Sequence, residues 1–292
     1  MALNKTALSA YGSTTLFVLL WSSGAIFARL GLEYASAFAL LVARFALALA
    51  VLLVLAAWRR RWLPAAGTRP QVIAAGLLLT GAYSICYLLA LARGITPGVL
   101  ATVLGVQPIL TLLLVERRFS ARRLAGLAVA LGGLVLVVWQ GIGMARFSAP
   151  GMGFALAALA CMTIGAILQK NIRQAPLDVL PLQYCAGLAL CLLFVPFQPM
   201  DVMPAAGFVL SLAWLALVIS VGATLLLYKL IQAGNLVNVT SLFYLVPAVT
   251  ALMDYLFLGN RLAALSMGGM VAIVLGLVLV FSEQASEQAR AR

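Results

Sequence analysis

Apolar residues run along this chain in stretches of about twenty, broken by short clusters of charge, glycine and proline rather than by polar faces. A helix on a water-facing surface shows an apolar stripe every 3.6 residues, and a half-buried strand alternates every two. A run that is apolar all round has to be enclosed, by protein or by lipid. Read this way, the sequence predicts helices near 12–28, 37–58, 71–91, 97–115 and 123–140, and again near 151–169, 178–195, 206–231, 237–257 and 264–281. Each is long enough, at about 1.5 Å per residue, to cross a hydrocarbon layer about 30 Å thick while satisfying its own backbone hydrogen bonds. The expected fold class is therefore all-α integral membrane, with ten transmembrane helices. The first run continues without a small-residue cleavage site, so it is taken as a span and not as a removable signal.

Composition strengthens this picture. Hydrophobic residues make up 65% of the 292 and charged residues only 9%, which leaves a soluble fold too little polar surface. A net charge of +12 would suggest a nucleic-acid partner in a soluble protein, but in a membrane protein it sets orientation. With the N-terminus in the cytoplasm and loops assigned alternately, 14 basic residues fall inside: Lys5, Arg59, Arg60, Arg61, Arg69, Arg117, Arg118, Arg122, Arg123, Lys170, Arg173, Lys229, Arg290 and Arg292. Only Arg29, Arg93, Arg146 and Arg261 fall outside, and Arg44 lies within the second span. This asymmetry fits ten helices in a bacterial-type cytoplasmic (inner) membrane, with both termini cytoplasmic. No nucleic-acid partner is expected.

The halves resemble each other. VERRFSARRLAG at 115–126 matches LGNRLAALSMGG at 258–269, GVQPILTLLL at 105–114 resembles YLVPAVTALM at 244–253, and GAIFARLGLEYA at 24–35 parallels GAILQKNIRQAP at 165–176. The expected division is 1–146 for the first repeat, 147–282 for the second, and 283–292 for a cytoplasmic tail. Five helices per repeat is an odd number, so the second repeat is expected upside down relative to the first, an architecture suited to a site near the midplane that opens alternately to each side.

Catalytic chemistry has little to work with. The chain has no histidine, which removes the commonest general base and metal ligand. Of its carboxylates, Glu33, Glu116, Asp178, Asp201, Glu283 and Glu287 fall in loops or tails, and Asp254 alone sits within an apolar helix. Cys86, Cys161, Cys185 and Cys191 form no CxxC pair and read as small core residues. No enzyme, metal or cofactor is expected.

These runs also resemble a known family. WSSGAIFARLGLEYA followed by ARF at 43–45, the long run ALARGITPGVLATVLGVQPILTLLLVERRFSARRLAG, and LLLYKLIQAGNLVNVTSLFYLVPAVTALMDYLFLGNRL are similar to the EamA-type members of the drug/metabolite transporter superfamily. The resemblance covers essentially the whole chain. It implies two inverted five-helix repeats around a central cavity lined mainly by helices one, three, four, six, eight and nine. The chain departs from the family at Asn260, where members often carry an acid.

Side chains that cannot cheaply face lipid must face protein or water. Ser220, Thr224 and Tyr228 recur at i+4 in helix eight, Asn238, Ser241 and Tyr244 at i+3 in helix nine, and Tyr83 and Tyr87 share a face with Cys86 in helix three. One reading makes these stripes a substrate-binding wall, with Gln107, with Trp21 beside Ser22, and with Thr163 beside Met162. The other makes the Ser, Thr and Asn residues interhelical glue at roughly 0.6–2 kcal/mol each. Arg44 either faces the cavity and holds an anionic group, or snorkels outward or pairs with a backbone carbonyl or Glu33. Lys229 reads as an interfacial anchor. Pro108 and Pro247, at matched places in the two repeats, are hinge candidates or fixed bends. Gly126, Gly132, Gly133, Gly268, Gly269 and Gly276 read as marks of close helix packing.

The function expected is a secondary exporter of amino acids or similar small metabolites, working as a monomer in the bilayer, with facilitated diffusion favoured over proton antiport. Sugar-phosphate or nucleotide-sugar carriage would need several convergent cations. A membrane scaffold or lipid-processing protein without a solute path is the reading from another class.

Overall fold

A computed structural model describes residues 5–116, 120–143, 148–258 and 263–290, with side chains described for 12–116, 120–139, 148–253, 255–256 and 263–282. Arg117, Arg118, Arg146, Asn260, Arg261 and Arg292 lie outside the described residues, as do the side chains of Lys5, Asp254, Glu283, Glu287 and Arg290.

All ten expected helices are present: α1 (Gly12–Leu32), α2 (Ala37–Arg59), α3 (Ala66–Ala92), α4 (Pro97–Val115), α5 (Ala121–Trp139), α6 (Ala149–Asn171), α7 (Pro176–Phe197), α8 (Ala206–Ala233), α9 (Leu236–Met253) and α10 (Ala264–Ser282). Each is long and apolar enough to cross a membrane. Among the described residues the only β pairing is an isolated bridge between Ala35 and Val202. Local chemistry sets several starts. Thr96 accepts from Val99 N ahead of α4, whose first residue is Pro97, and Asn235 accepts from Val237 N and Asn238 N ahead of α9. Both satisfy backbone donors that a helix start leaves unpaired.

Packing divides the chain into two compact units, Met1–Leu88 with Ile164–Ala233, and Leu89–Thr163 with Gly234–Arg292. In the first, α2 and α3 pack on α7, and α8 packs on α1 and α2. Two helices depart from α geometry here: Leu77–Ala82 in α3 and Trp214–Ala223 in α8 form wide π turns, which expose backbone groups and reset the side-chain register. Each π segment meets a glycine. A Cβ at Gly24 of α1 would lie 3.5 Å from Ile219, and one at Gly165 of α6 would lie 2.7 Å from Leu79.

In the second unit α5 packs along α10. A Cβ at Gly126 would lie 2.8 Å from the Gly276 carbonyl, and one at Gly269 would lie 2.5 Å from the Gly133 carbonyl. One contact pairs the early glycine of α5 with the late glycine of α10 and the other does the reverse, so the helices run antiparallel with backbones touching. The close-packing expectation thus holds for Gly126, Gly133, Gly269 and Gly276, whereas Gly132 and Gly268 face open space. Helix α4 is interrupted at Gly105 and Val106, just before Pro108, and α9 tightens to a 3-10 turn over Leu242–Tyr244, just before Pro247. Proline supplies no N–H and crowds the preceding turn, which accounts for both interruptions.

Candidate functional site

The first unit contains the charge that most needs explaining. Arg44 lies about two turns from the start of α2 and is half-buried. Its Nε donates to Ser220 Oγ at 2.6 Å, so its partner is a hydroxyl of the α8 π segment and neither Glu33 nor a backbone carbonyl. Tyr184 of α7 donates its hydroxyl to the carbonyl of the same Ser220 at 2.7 Å and sets its ring edge-on to Phe45, with centroids 5.5 Å apart. The hydroxyls of Tyr184 and Tyr83 lie within electrostatic reach of the guanidinium. Ser220 is thus held from two helices, its hydroxyl serving Arg44 and its carbonyl serving Tyr184. Arg44 forms no ion pair with any described carboxylate, which leaves the four Nη–H donors of its fork for another acceptor.

Around this centre the expected residues fall unevenly. Tyr83 and Tyr87 are half-buried with ring centroids 5.9 Å apart, an aromatic pair on one face of α3. Trp21 tilts against Phe17 at 5.4 Å in α1. Thr224 donates to the Ile219 carbonyl five residues back, a bond that the π turn makes available. Tyr228 is fully buried, and Lys229 is exposed. Tyr184 escaped sequence reading because it sits in a run, PLQYCAGLAL, with no polar stripe to mark it. A buried pair between neighbouring helices escaped too: Gln183 Nε2 of α7 donates to Gln169 Oε1 of α6 at 2.7 Å.

In the second unit α4 and α9 pack together through Gln107–Val115 and Leu236–Ser241. Gln107 Oε1, Thr111 Oγ1 and the Tyr244 hydroxyl are buried with no protein hydrogen-bond partner, a costly state for polar atoms. Gln107 and Tyr244 are expected site residues; Thr111, one turn after Gln107, is legible only as its i+4 neighbour. Thr163 donates to Leu159 O at 2.8 Å and Ser241 to Val237 O at 2.7 Å, so both hydroxyls bond back into their own helices.

Asn238 is drawn elsewhere. Its Oδ1 accepts from Arg123 Nη2 at 3.0 Å, and Asn235 Oδ1 accepts from the same nitrogen at 2.9 Å. Arg123 Nη1 reaches both carboxylate oxygens of Glu116, and Asn235 Nδ2 donates to Glu116 Oε1 at 2.9 Å. This ionic knot joins the end of α4, the start of α5 and the start of α9. Nothing in the sequence marks it, because Glu116 and Arg123 look like ordinary loop charges. The described residues hold no cluster of three His, Cys, Asp or Glu side chains able to take a metal.

Ten apolar helices with an arginine and tyrosines held among them define a multi-pass membrane protein. A family model described as the EamA-like transporter family matches residues 9–139 and matches again over 149–282, and the chain belongs to that family. The family consists of transporters of the drug/metabolite transporter superfamily. No curated protein matches the chain. A solved crystal structure superposes on it with a TM-score of 0.78 at 21% identity, covering 93% of this chain and 96% of the other, a likeness of fold alone.

Proposed function

We propose that the chain exports amino acids or similar small metabolites from the cytoplasm, as a monomer, by alternating access between two inverted five-helix repeats, residues 1–146 and 147–282. The substrate's carboxylate is held by Arg44. The observation that carries this reading is the guanidinium itself: it lies within an apolar span, Ser220 fixes its Nε, and no described carboxylate neutralises it. A charge in that position is costly unless it serves a solute or reaches water, and a planar fork suits a carboxylate. Tyr83 and Tyr87 offer hydroxyls and aromatic faces beside it, for the polar end and the apolar side chain of an amino acid. Gln107, Thr111 and Tyr244 are the acceptors and donors that we assign to the substrate path in the second unit.

Several observations support the cycle. The antiparallel contact of α5 with α10 is what inversion requires, and the interruptions before Pro108 and Pro247 serve as paired hinges. The excess of basic loop residues supports cytoplasmic termini in an inner membrane. We also propose a resemblance of the chain as a whole to the amino-acid exporter YddG, which favours an amino acid over a sugar phosphate. The exposure of Lys229 points the same way, since phosphate would call for a second cation near Arg44.

Counterflow of radiolabelled amino acids into proteoliposomes tests the proposal. Saturable flux is expected, competed by free amino acids and at least about tenfold less well by their amides, the loss that follows from a charge-assisted contact worth 1.4 kcal/mol or more. Absence of saturable flux for any amino acid sinks the export reading. Equal competition by acids and amides sinks the role given to Arg44.

A further inference from the structure

We propose that the first unit carries a binding site for one anionic phospholipid, with an acyl chain in a groove between α3 and α7 and the headgroup on a cluster of arginines at the end of that groove. The groove has a volume of about 420 Å³ and is lined by Ile73 and Leu77 of α3 and by Leu182, Ala186, Leu190 and Leu193 of α7, among others. It exists because the two backbones come unusually close and the side chains beside the contact are small. A Cβ at Gly76 would lie 2.5 Å from Gln183 Cα, and one at Gly81 would lie 3.2 Å from Gly187 Cα. Ala186 and Ala189 leave the floor unfilled, and the π turn beginning at Leu77 carries the next side chains of α3 out of line.

Length and charge select the occupant. From Leu182 to Leu193 the groove follows α7 for about 16 Å at 1.5 Å per residue, about half of a hydrocarbon layer roughly 30 Å thick. That is the depth of one leaflet. Its wall starts one helical turn from Arg69 on α3 and one turn from Asp178 on α7, so one end opens at the loops that carry Arg59, Arg60, Arg61 and Arg173. Asp178 occupies two of these, accepting from Arg59 Nη1 at 2.9 Å and Arg61 Nη1 at 3.4 Å. Arg60 and Arg173 are exposed, and neither guanidinium forms an ion pair among the described residues.

Arg60 stands at the C-cap of α2 with φ 52°, in the left-handed region where helices ordinarily place glycine. Trp58 and Trp62, 84% and 54% exposed, flank the arginines, the arrangement by which aromatic rings settle at the level of lipid headgroups. An apolar slot one leaflet deep that ends on uncompensated arginines matches a lipid with a negative headgroup.

Native mass spectrometry of the full chain in detergent, titrated with phosphatidylglycerol or with phosphatidylcholine of the same acyl chains, tests this site independently of transport. Wild type is expected to bind one phosphatidylglycerol at least about fivefold more tightly than phosphatidylcholine, as roughly 1 kcal/mol per engaged arginine implies. The pair Arg60→Gly and Arg173→Ala should abolish the preference without touching the Asp178 bridges, and Arg60→Lys with Arg173→Lys should keep it. Ala189→Phe, which fills the floor, should weaken phosphatidylglycerol binding while helicity stays as in wild type. Equal binding of the two lipids overturns the proposal. So does unchanged binding after Ala189→Phe, or displacement by glycerol phosphate, which has the headgroup charge and no chain.

Discussion

Arg123 and Glu116 form a two-oxygen ion pair at 2.8 and 2.6 Å although the arginine is only 1% exposed. A guanidinium removed from water to that degree is tolerable because Glu116, Asn235 and Asn238 accept from both Nη nitrogens in place of water, which leaves only Nε buried without a partner. Glu116→Gln leaves the buried cation uncompensated and is expected to destabilise the protein by on the order of 3 kcal/mol. Unfolding in a graded mixture of mild detergent and dodecyl sulfate measures it. In a double-mutant cycle with Arg123→Gln the two losses should fall well short of adding.

Ser220 offers a way to separate anchoring from scaffolding. Ser220→Ala removes the acceptor of Arg44 Nε but keeps the carbonyl that holds Tyr184, so it should raise the apparent KM by about tenfold or more, in keeping with about 1.5–3 kcal/mol for a hydrogen bond to a charged group, with little change in stability. Tyr184→Phe should do the opposite, costing about 1 kcal/mol of stability with a smaller effect on KM. Paired flux and unfolding measurements on the two variants check this.

Tyr244 is buried with an unpartnered hydroxyl, so Tyr244→Phe removes a polar atom and no protein hydrogen bond. Stability is expected to be unchanged or to rise by about 1 kcal/mol, while transport falls if the hydroxyl meets the substrate, as we propose. An alanine there would excavate the core and blur the comparison. Unchanged flux in Tyr244→Phe removes this residue from the substrate path.

Gly133 has its backbone against Gly269 and Ile273. Gly133→Leu has to push α5 away from α10 and is expected to cost at least about 1–3 kcal/mol, the usual range for overpacking. Gly132→Leu faces open space and should be near neutral. The difference in unfolding midpoint between neighbouring positions is the measurement.

How much was legible follows from the range of each interaction. A helix in lipid is specified by its own residues, because backbone hydrogen bonds close within the segment and apolar length sets the span. The ten helices, the interruptions before Pro108 and Pro247, and close packing at four of the six marked glycines could therefore be read from the sequence, whereas the pairing of α5 with α10 could not. The partners of Arg44 could not. Ser220 is 176 positions away, and its orientation depends on a π turn that no local pattern announces.

The sequence by itself determined the helices and their number, because burial in a bilayer is a property of each segment. Only the tertiary structure decided which polar atoms meet. Asn238 looked like one more residue of a stripe, yet it closes a knot around Arg123, and Glu116 looked like a loop charge, yet it neutralises that buried cation. Such pairings depend on which helices lie side by side, and desolvation makes a partner necessary without specifying which one.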